Sequence, residues 1–102
     1  MTDVFQAVAD STRRELLERL RASGPLSLTA VAEGLPMTRQ AVTKHLDALA
    51  ESGLVQVSRS GRERLHELDA EPLRALRAWI EPYEAEWDRR LDRLRRHLDR
   101  TP

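Results

Sequence analysis

The hydrophobic period of this chain changes at Gly53, and that change constrains the fold more than any other feature of the sequence. Upstream, Thr38 reads as a helix cap. The segment from there to Ser52 is apolar at Val42, Leu46 and Leu49 with Ala41 and Ala48 beside them, the spacing of a helix that buries one face. Gly53 is a suitable residue to stop it. Downstream, Leu54-Val55-Gln56-Val57 is β-rich, and Arg64-Leu65-His66-Glu67-Leu68 answers it across Ser60-Gly61. That pattern predicts a hairpin with a polar, arginine-bearing tip.

Glycine and proline divide the rest of the chain at Gly24-Pro25, Gly34-Leu35-Pro36, Pro72 and Pro82. Val4, Phe5, Val8 and Ala9 form one short apolar face, and Leu16, Leu17 and Leu20 form another after Asp10-Ser11-Thr12, so two helices are expected. The second starts either with Asp10 as its N-cap or with a Thr12/Glu15 capping box. Ser27 then caps a short helix through about Glu33, joined to the Thr38 helix by a tight turn of three or four residues. From Pro72 the pattern is helical to about residue 100, with Leu73, Leu76, Trp79/Ile80, Tyr83, Trp87, Leu91, Leu94 and Leu98 spaced by threes and fours. Pro82 must kink this helix or begin a new one. With 102 residues and no internal repeat, residues 1–102 are read as one domain, mainly α with a small β-hairpin (α+β).

Composition removes several classes of function. The 17 Lys+Arg balance the 17 Asp+Glu, so any preference for a polyanion must rest on local charge. The chain contains no cysteine, which excludes disulfides, thiolate nucleophiles and Cys-based metal or redox sites. No apolar run approaches the 18 residues of a membrane span, and the N-terminal residues lack a secretory pattern, so a cytoplasmic protein without a membrane partner is expected. No G-x-S-x-G, P-loop, H-E-x-x-H or G-x-G-x-x-G motif is present, and His45 and Asp47 lie two apart on a helix and do not face each other. The chain is not read as an enzyme, and no cofactor is expected.

Helices, a short helix, a turn, a longer capped helix (about 38–52), a hairpin wing (about 54–68) and a long final helix (about 72–100) make the order of a winged helix-turn-helix. Arg39, Gln40, Thr43, Lys44 and Asp47 fall within an arc of about 140° opposite the apolar face of the Thr38 helix. Its first turn, Thr38-Arg39-Gln40, offers free backbone N–H groups and a positive dipole end to phosphate. Gln40 can pair with adenine, and Arg39 or Lys44 can reach guanine or phosphate. Arg59, Arg62 and Arg64 around the hairpin tip suit the DNA backbone or the adjacent minor groove. The expected DNA-binding residues are therefore Thr38, Arg39, Gln40, Thr43, Lys44, Arg59, Arg62 and Arg64.

The stretches VADSTRRELLERL (8–20), MTRQAVTKHLDAL (37–49), ESGLV and GRERLHEL resemble the ArsR/SmtB family of bacterial winged-helix repressors over nearly the whole chain. The resemblance implies a homodimeric, sequence-specific transcriptional regulator that represses by holding a palindromic operator in double-stranded DNA. It also implies dimer contacts on the first and last helices. The apolar stripe of the last helix exceeds what a winged helix needs for its own core, and Phe5, Trp79, Tyr83, Trp87, Leu91, Leu94 and Leu98 are assigned to the dimer interface. Metal-sensing members carry a Cys pair in the helix before the reading helix, or Asp and His ligands on the C-terminal helix. Here SLTAVAEGL (27–35) has neither Cys nor His, and His97 has only Asp92, Asp99 and Glu86 nearby in sequence, so no metal site is expected.

Two other readings remain open at this level. The architecture also serves as a protein-interaction module, and Trp79, Tyr83 and Trp87 could line a small-molecule pocket instead of a packing seam. His45 is expected in the core and His66 on the strand surface. His97 is expected in solvent near the chain end. The alternating charges from Asp88 to Arg96 are expected to form a solvated, salt-bridged face.

Overall fold

The computed structural model describes residues 2–100. Helix α1 (Val4–Val8) starts with a capping box, in which Asp3 Oδ1 accepts from the Gln6 N–H at 2.8 Å and Gln6 Oε1 accepts from the Asp3 N–H at 3.1 Å. One and a half turns cannot hold themselves. Arginines from helix α2 (Ser11–Ser23) close the other end: Arg13 donates to the Gln6 and Ala7 carbonyls at 2.8 Å each, and Arg14 donates to the Val8 carbonyl at 2.7 Å. Asp10 caps α2, its Oδ2 accepting from the Arg13 N–H at 2.9 Å, which decides between the two starts the sequence offers.

Helix α3 (Leu28–Ala32) is capped by Ser27, and helix α4 (Arg39–Glu51) by Thr38. Glu33 is the C-cap of α3 and Thr38 the N-cap of α4, so the turn between the caps is the four residues 34–37, as expected. Within it Leu35 donates to the Ala32 carbonyl, and Met37 to the Leu35 carbonyl. Gly53 ends α4 at φ 84°, a conformation that favours glycine, and a Cβ there would also make a tight contact, 3.3 Å, with the Pro72 ring.

Strands β1 (Val55–Ser60) and β2 (Glu63–Leu68) form a two-stranded antiparallel sheet. Ser60 pairs with Glu63, which moves the turn one residue from the expected Ser60-Gly61 to Gly61-Arg62. Gly61, at φ 65°, takes the first central position, where a tight hairpin turn of the primed kind requires positive φ. Leu26 adds a bridge to His66: Leu26 N–H donates to the His66 carbonyl at 3.0 Å and His66 N–H to the Leu26 carbonyl at 2.8 Å.

Leu16 and Leu20 of α2, Val31 of α3, Val42, Leu46 and Leu49 of α4, and Leu54 and Val55 at the start of the hairpin close into one core, with Val4 and Ala7 at its edge. Helix α5 (Leu73–Arg100) places Leu73 and Leu76 against this core and then leaves it. Its 28 residues make a rod of about 42 Å, in a molecule 70 Å long and 26 by 22 Å across. The helix continues through Pro82, so that residue does not begin a new one.

Candidate nucleic-acid interface

Helix α4 is held by its apolar side and free on the other. Val42, Leu46 and Leu49 are fully or almost fully buried, whereas Thr38, Arg39, Gln40, Thr43 and Lys44 are all exposed. Thr38 Oγ1 accepts from the Ala41 N–H at 3.1 Å, satisfying one free donor of the first turn and leaving that turn's remaining partial positive charge facing outward.

Arg19 of α2 sets the position of α3 beneath α4. Its guanidinium donates to the Val31 carbonyl at 3.1 Å and to the Glu33 carbonyl, two of the acceptors that α3 leaves unpaired at its C-terminus, while its Nε donates to Glu15 at 3.2 Å. Nothing local in the sequence marks this clamp, since Arg19 and Glu33 are fourteen residues apart.

The wing faces α4 across an open groove. Arg39, Thr43 and Asp47 line it from α4 at every fourth residue, and Arg62, Glu63, Arg64 and His66 line it from the hairpin, with Glu33 at its end. Gln40 and Lys44 stand on the neighbouring flank of α4 with Thr38 and Leu28. The fold thus brings seven of the eight expected DNA-binding residues to two adjoining faces of one helix and its wing. Arg59 is the exception: it sits directly opposite Arg64 in the hairpin register but does not line the groove.

Three carboxylates share this surface with the arginines. Asp47 belongs to the polar arc visible in the sequence, but Glu33 and Glu63 carry no sequence signal, because only the return of the hairpin over α4 brings them together. Their charges keep the groove from being uniformly attractive to phosphate. Arg62 and Arg64 at the wing and Arg39 at the helix start are left as separate points of attraction.

His66 corrects the surface assignment made from sequence. It is 7% exposed, with Nδ1 3.2 Å from the Leu26 carbonyl, because the added Leu26 bridge covers that side of β2. His45 is half-buried rather than in the core, and its Nδ1 stands 3.8 Å from Asp10 Oδ2. The cap of α2 and helix α4 therefore meet through this contact, an ion pair only when His45 is protonated. The Asp10 carboxyl is held below its ordinary value, first by the N–H of Arg13, against opposing desolvation, with help from the charge of His45. His97 is exposed, as expected.

Along α1 and α5 the residues assigned to a dimer interface are uncovered. Phe5, Trp79, Tyr83, Trp87, Leu91, Leu94 and Leu98 are all exposed, and Trp87 by 60%. Phe5 meets Trp79 edge-on at 6.1 Å, and Trp79 tilts on Tyr83 at 5.0 Å, so α1 and α5 share one aromatic patch. The salt bridges expected from Asp88 to Arg96 do not form: among the described residues no arginine of that stretch has a carboxylate within ion-pair distance. The arginines there project into solvent. Among the described residues no three His, Cys, Asp or Glu side chains stand close enough to hold a metal ion, and no helix is long and apolar enough to cross a membrane.

Comparison with known proteins places this geometry. A family model described as a helix-turn-helix domain matches residues 8–58, which hold α2 to α4 and the start of the wing. The HTH-type transcriptional regulator Rv2034 of Mycobacterium tuberculosis is 41% identical over 87 residues, covering 85% of this chain and 78% of that protein. A crystal structure of an ArsR family transcriptional regulator, RHA00566, superposes with a TM-score of 0.72 at 34% identity, over 82% of this chain and 86% of that one. The homodimeric winged helix-turn-helix DNA-binding domain of Mb0332 from Mycobacterium bovis, solved by NMR and described as a possible ArsR-family regulator, superposes at 0.62 with 28% identity. That match covers 81% of this chain and 76% of the other.

Proposed function

Since this chain belongs to the ArsR family of helix-turn-helix transcriptional regulators, we propose that it acts as a homodimeric repressor that occupies a palindromic operator, one reading helix to each half-site. The observation that carries this reading is the exposed polar side of α4, with Arg39, Gln40, Thr43 and Lys44, facing a wing that ends in Arg62 and Arg64. An exposed helix face of that composition, with its dipole end free, suits a major groove. A protein-binding face would need apolar or aromatic anchors there, and the aromatic residues stand on α1 and α5 instead.

In this reading Gln40 reads a base edge, Arg39 and Lys44 reach guanine or phosphate, and Thr38 and Thr43 steady the backbone. Arg62 and Arg64 hold the strand beyond the helix, and Arg59, directly opposite Arg64 across the hairpin, adds charge beside it. The uncovered Phe5, Trp79, Tyr83, Trp87, Leu91, Leu94 and Leu98 are buried against a second copy. Two-fold symmetry then sets the half-sites about one helical turn, roughly 34–36 Å, apart.

Fluorescence anisotropy of the protein on its own upstream DNA and on a scrambled duplex, each at two salt concentrations, tests the proposal. Tight, salt-sensitive binding that prefers the native sequence is expected. Equal and weak binding to that duplex and to a panel of promoter fragments would overturn it.

A further inference from the structure

The polar arc of α4 carries one charge of the wrong sign for a surface that meets phosphate. Asp47 is exposed and lines the groove between α4 and the wing with Arg39, Thr43, Arg62 and Arg64. Among the described residues no Lys, Arg or His nitrogen lies within ion-pair distance of its carboxylate, although three arginines line the same groove and Lys44 is three residues away on the helix. The helix gains nothing from it. Asp47 caps neither end of α4, and aspartate is a poor former of helix interiors. Glu51 stands four residues on, a like charge on the same face, in the half of the helix where the dipole disfavours acids.

The place of Asp47 within the arc gives the charge a use. Counting about 100° per residue from Arg39 puts Thr43 at about 40°, Asp47 at about 80°, Gln40 at about 100° and Lys44 at about 140°. The two cations hold the borders of the arc, and Asp47 stands near its centre beside Gln40 and Thr43. A helix seated in a major groove turns the centre of such an arc to the base edges and its borders to the backbone walls. Asp47 is therefore aimed at base pairs and flanked by the groups that meet phosphate. It lies seven residues beyond Gln40, about 10.5 Å along the helix axis, so the two meet different base pairs.

We propose that Asp47 is a specificity-determining residue, whose carboxylate accepts a hydrogen bond from the exocyclic amino group of a cytosine in each half-site and rejects edges and phosphates that offer only acceptors. The proposal rests on the reading of α4 as the helix that enters a major groove, and it adds a negatively charged base reader to that face. An ionised carboxylate accepts hydrogen bonds and donates none. In the major groove guanine presents N7 and O6 and thymine presents O4, all of them acceptors, and the amino group of adenine stands beside its N7. Cytosine offers an amino donor and no acceptor on its own edge. The same charge repels phosphate that enters the groove out of register, so non-specific binding suffers most. Discrimination then grows by repulsion as well as by attraction.

Selection of sequences from a randomised duplex pool, with fluorescence anisotropy on the upstream DNA and on a scrambled duplex, tests the assignment. The native chain is expected to prefer cytosine about tenfold at one position of each half-site. In Asp47→Ala that position should become indifferent, while the preference set by Gln40 persists. In Asp47→Asn it should move toward adenine, which an amide pairs in bidentate fashion. Both variants should bind the scrambled duplex several-fold more tightly than the native chain at low salt, a gain that fades as salt rises. Asp47→Ala should keep its helix content by circular dichroism and melt no lower than the native chain, because it removes no contact and relieves the helix of a like-charge pair. Preferences unchanged at every position in both variants would overturn the assignment, as would an equal gain in affinity on both duplexes. A native chain that selects no sequence from the pool would overturn the reading of α4 itself, so the two failures are distinguishable.

Discussion

Helices α4 and α5 are both amphipathic, yet they stand in opposite relation to the rest of the molecule. Helix α4 spends its apolar side on its own core: Val42 and Leu49 are fully buried and Leu46 nearly so, and what it shows to solvent is polar. Helix α5 has no buried residue and shows solvent both its arginines and its Trp87, Leu94 and Leu98. The outer side of α4 is therefore free to act, whereas the outer side of α5 is unfinished. Water meets an apolar stripe far larger than isolated surface residues account for, and a second copy is the simplest body that carries the matching stripe.

The strongest way to break this comparison is to cut each helix's apolar side by one residue. Leu49→Ala removes a fully buried side chain and is expected to destabilise the protomer by about 2–5 kcal/mol. Leu94→Ala should leave protomer stability within about 0.5 kcal/mol in dilute protein and weaken self-association. Urea unfolding at two protein concentrations separates the two cases. A large loss at low concentration for Leu94→Ala would mean that α5 folds back on its own body.

The exposed side of α4 is sharpened by substitutions that touch no core. Gln40→Ala is expected to cost about 1–3 kcal/mol of binding and to relax preference at one base position. Removal of Arg39 or Lys44 should weaken binding to all sequences and lower the salt slope by about one. An unchanged operator preference in Gln40→Ala would remove that residue from the base readers.

The parts of the fold that follow from spacing were legible in the sequence. The caps at Ser27 and Thr38, the choice of Asp10 or a Thr12/Glu15 box at the start of α2, the stop at Gly53, the buried arc of α4 and the stripe of α5 depend on residues within a few positions of one another. What was not legible depends on long-range return of the chain. His66 is buried because Leu26, forty residues earlier, bridges to it. Arg19 closes α3 from another helix, and Glu33 and Glu63 join the groove only once the hairpin lies over α4. The hairpin turn shifted because Gly61, the positive-φ residue of the hairpin, fits the first central position, and β pairing then runs up to Ser60 and Glu63.

Asp10 links the two regions, since it caps α2 beside α1 and reaches His45 on α4. Its carboxyl lies below the ordinary 3.8, so the stabilisation it gives is complete at neutral pH and is lost as pH falls past 3.8 through the lowered value. Asp10→Ala should cost about 1 kcal/mol at pH 7. The gap between variant and native protein should close at the acid end of a pH series, and a gap independent of pH would show that the carboxylate's charge does not carry the cap.

The smallest expected effect lies at the wing, where Arg59 and Arg64 are directly opposed across β1 and β2. Like charges in a cross-strand pair oppose the hairpin, and neither arginine has an ion pair among the described residues. The free protein therefore carries a repulsion that an anion beside the wing would relieve. Arg59→Thr should raise thermal stability slightly, by about 0.2–1 kcal/mol, because threonine suits a strand and removes the repulsion. The same variant should bind operator DNA more weakly, with a shallower salt dependence. Opposite signs for stability and affinity are the signature of a charge kept for its ligand. Loss of stability in Arg59→Thr would mean instead that the arginine stem packs on the hairpin and supports the wing itself.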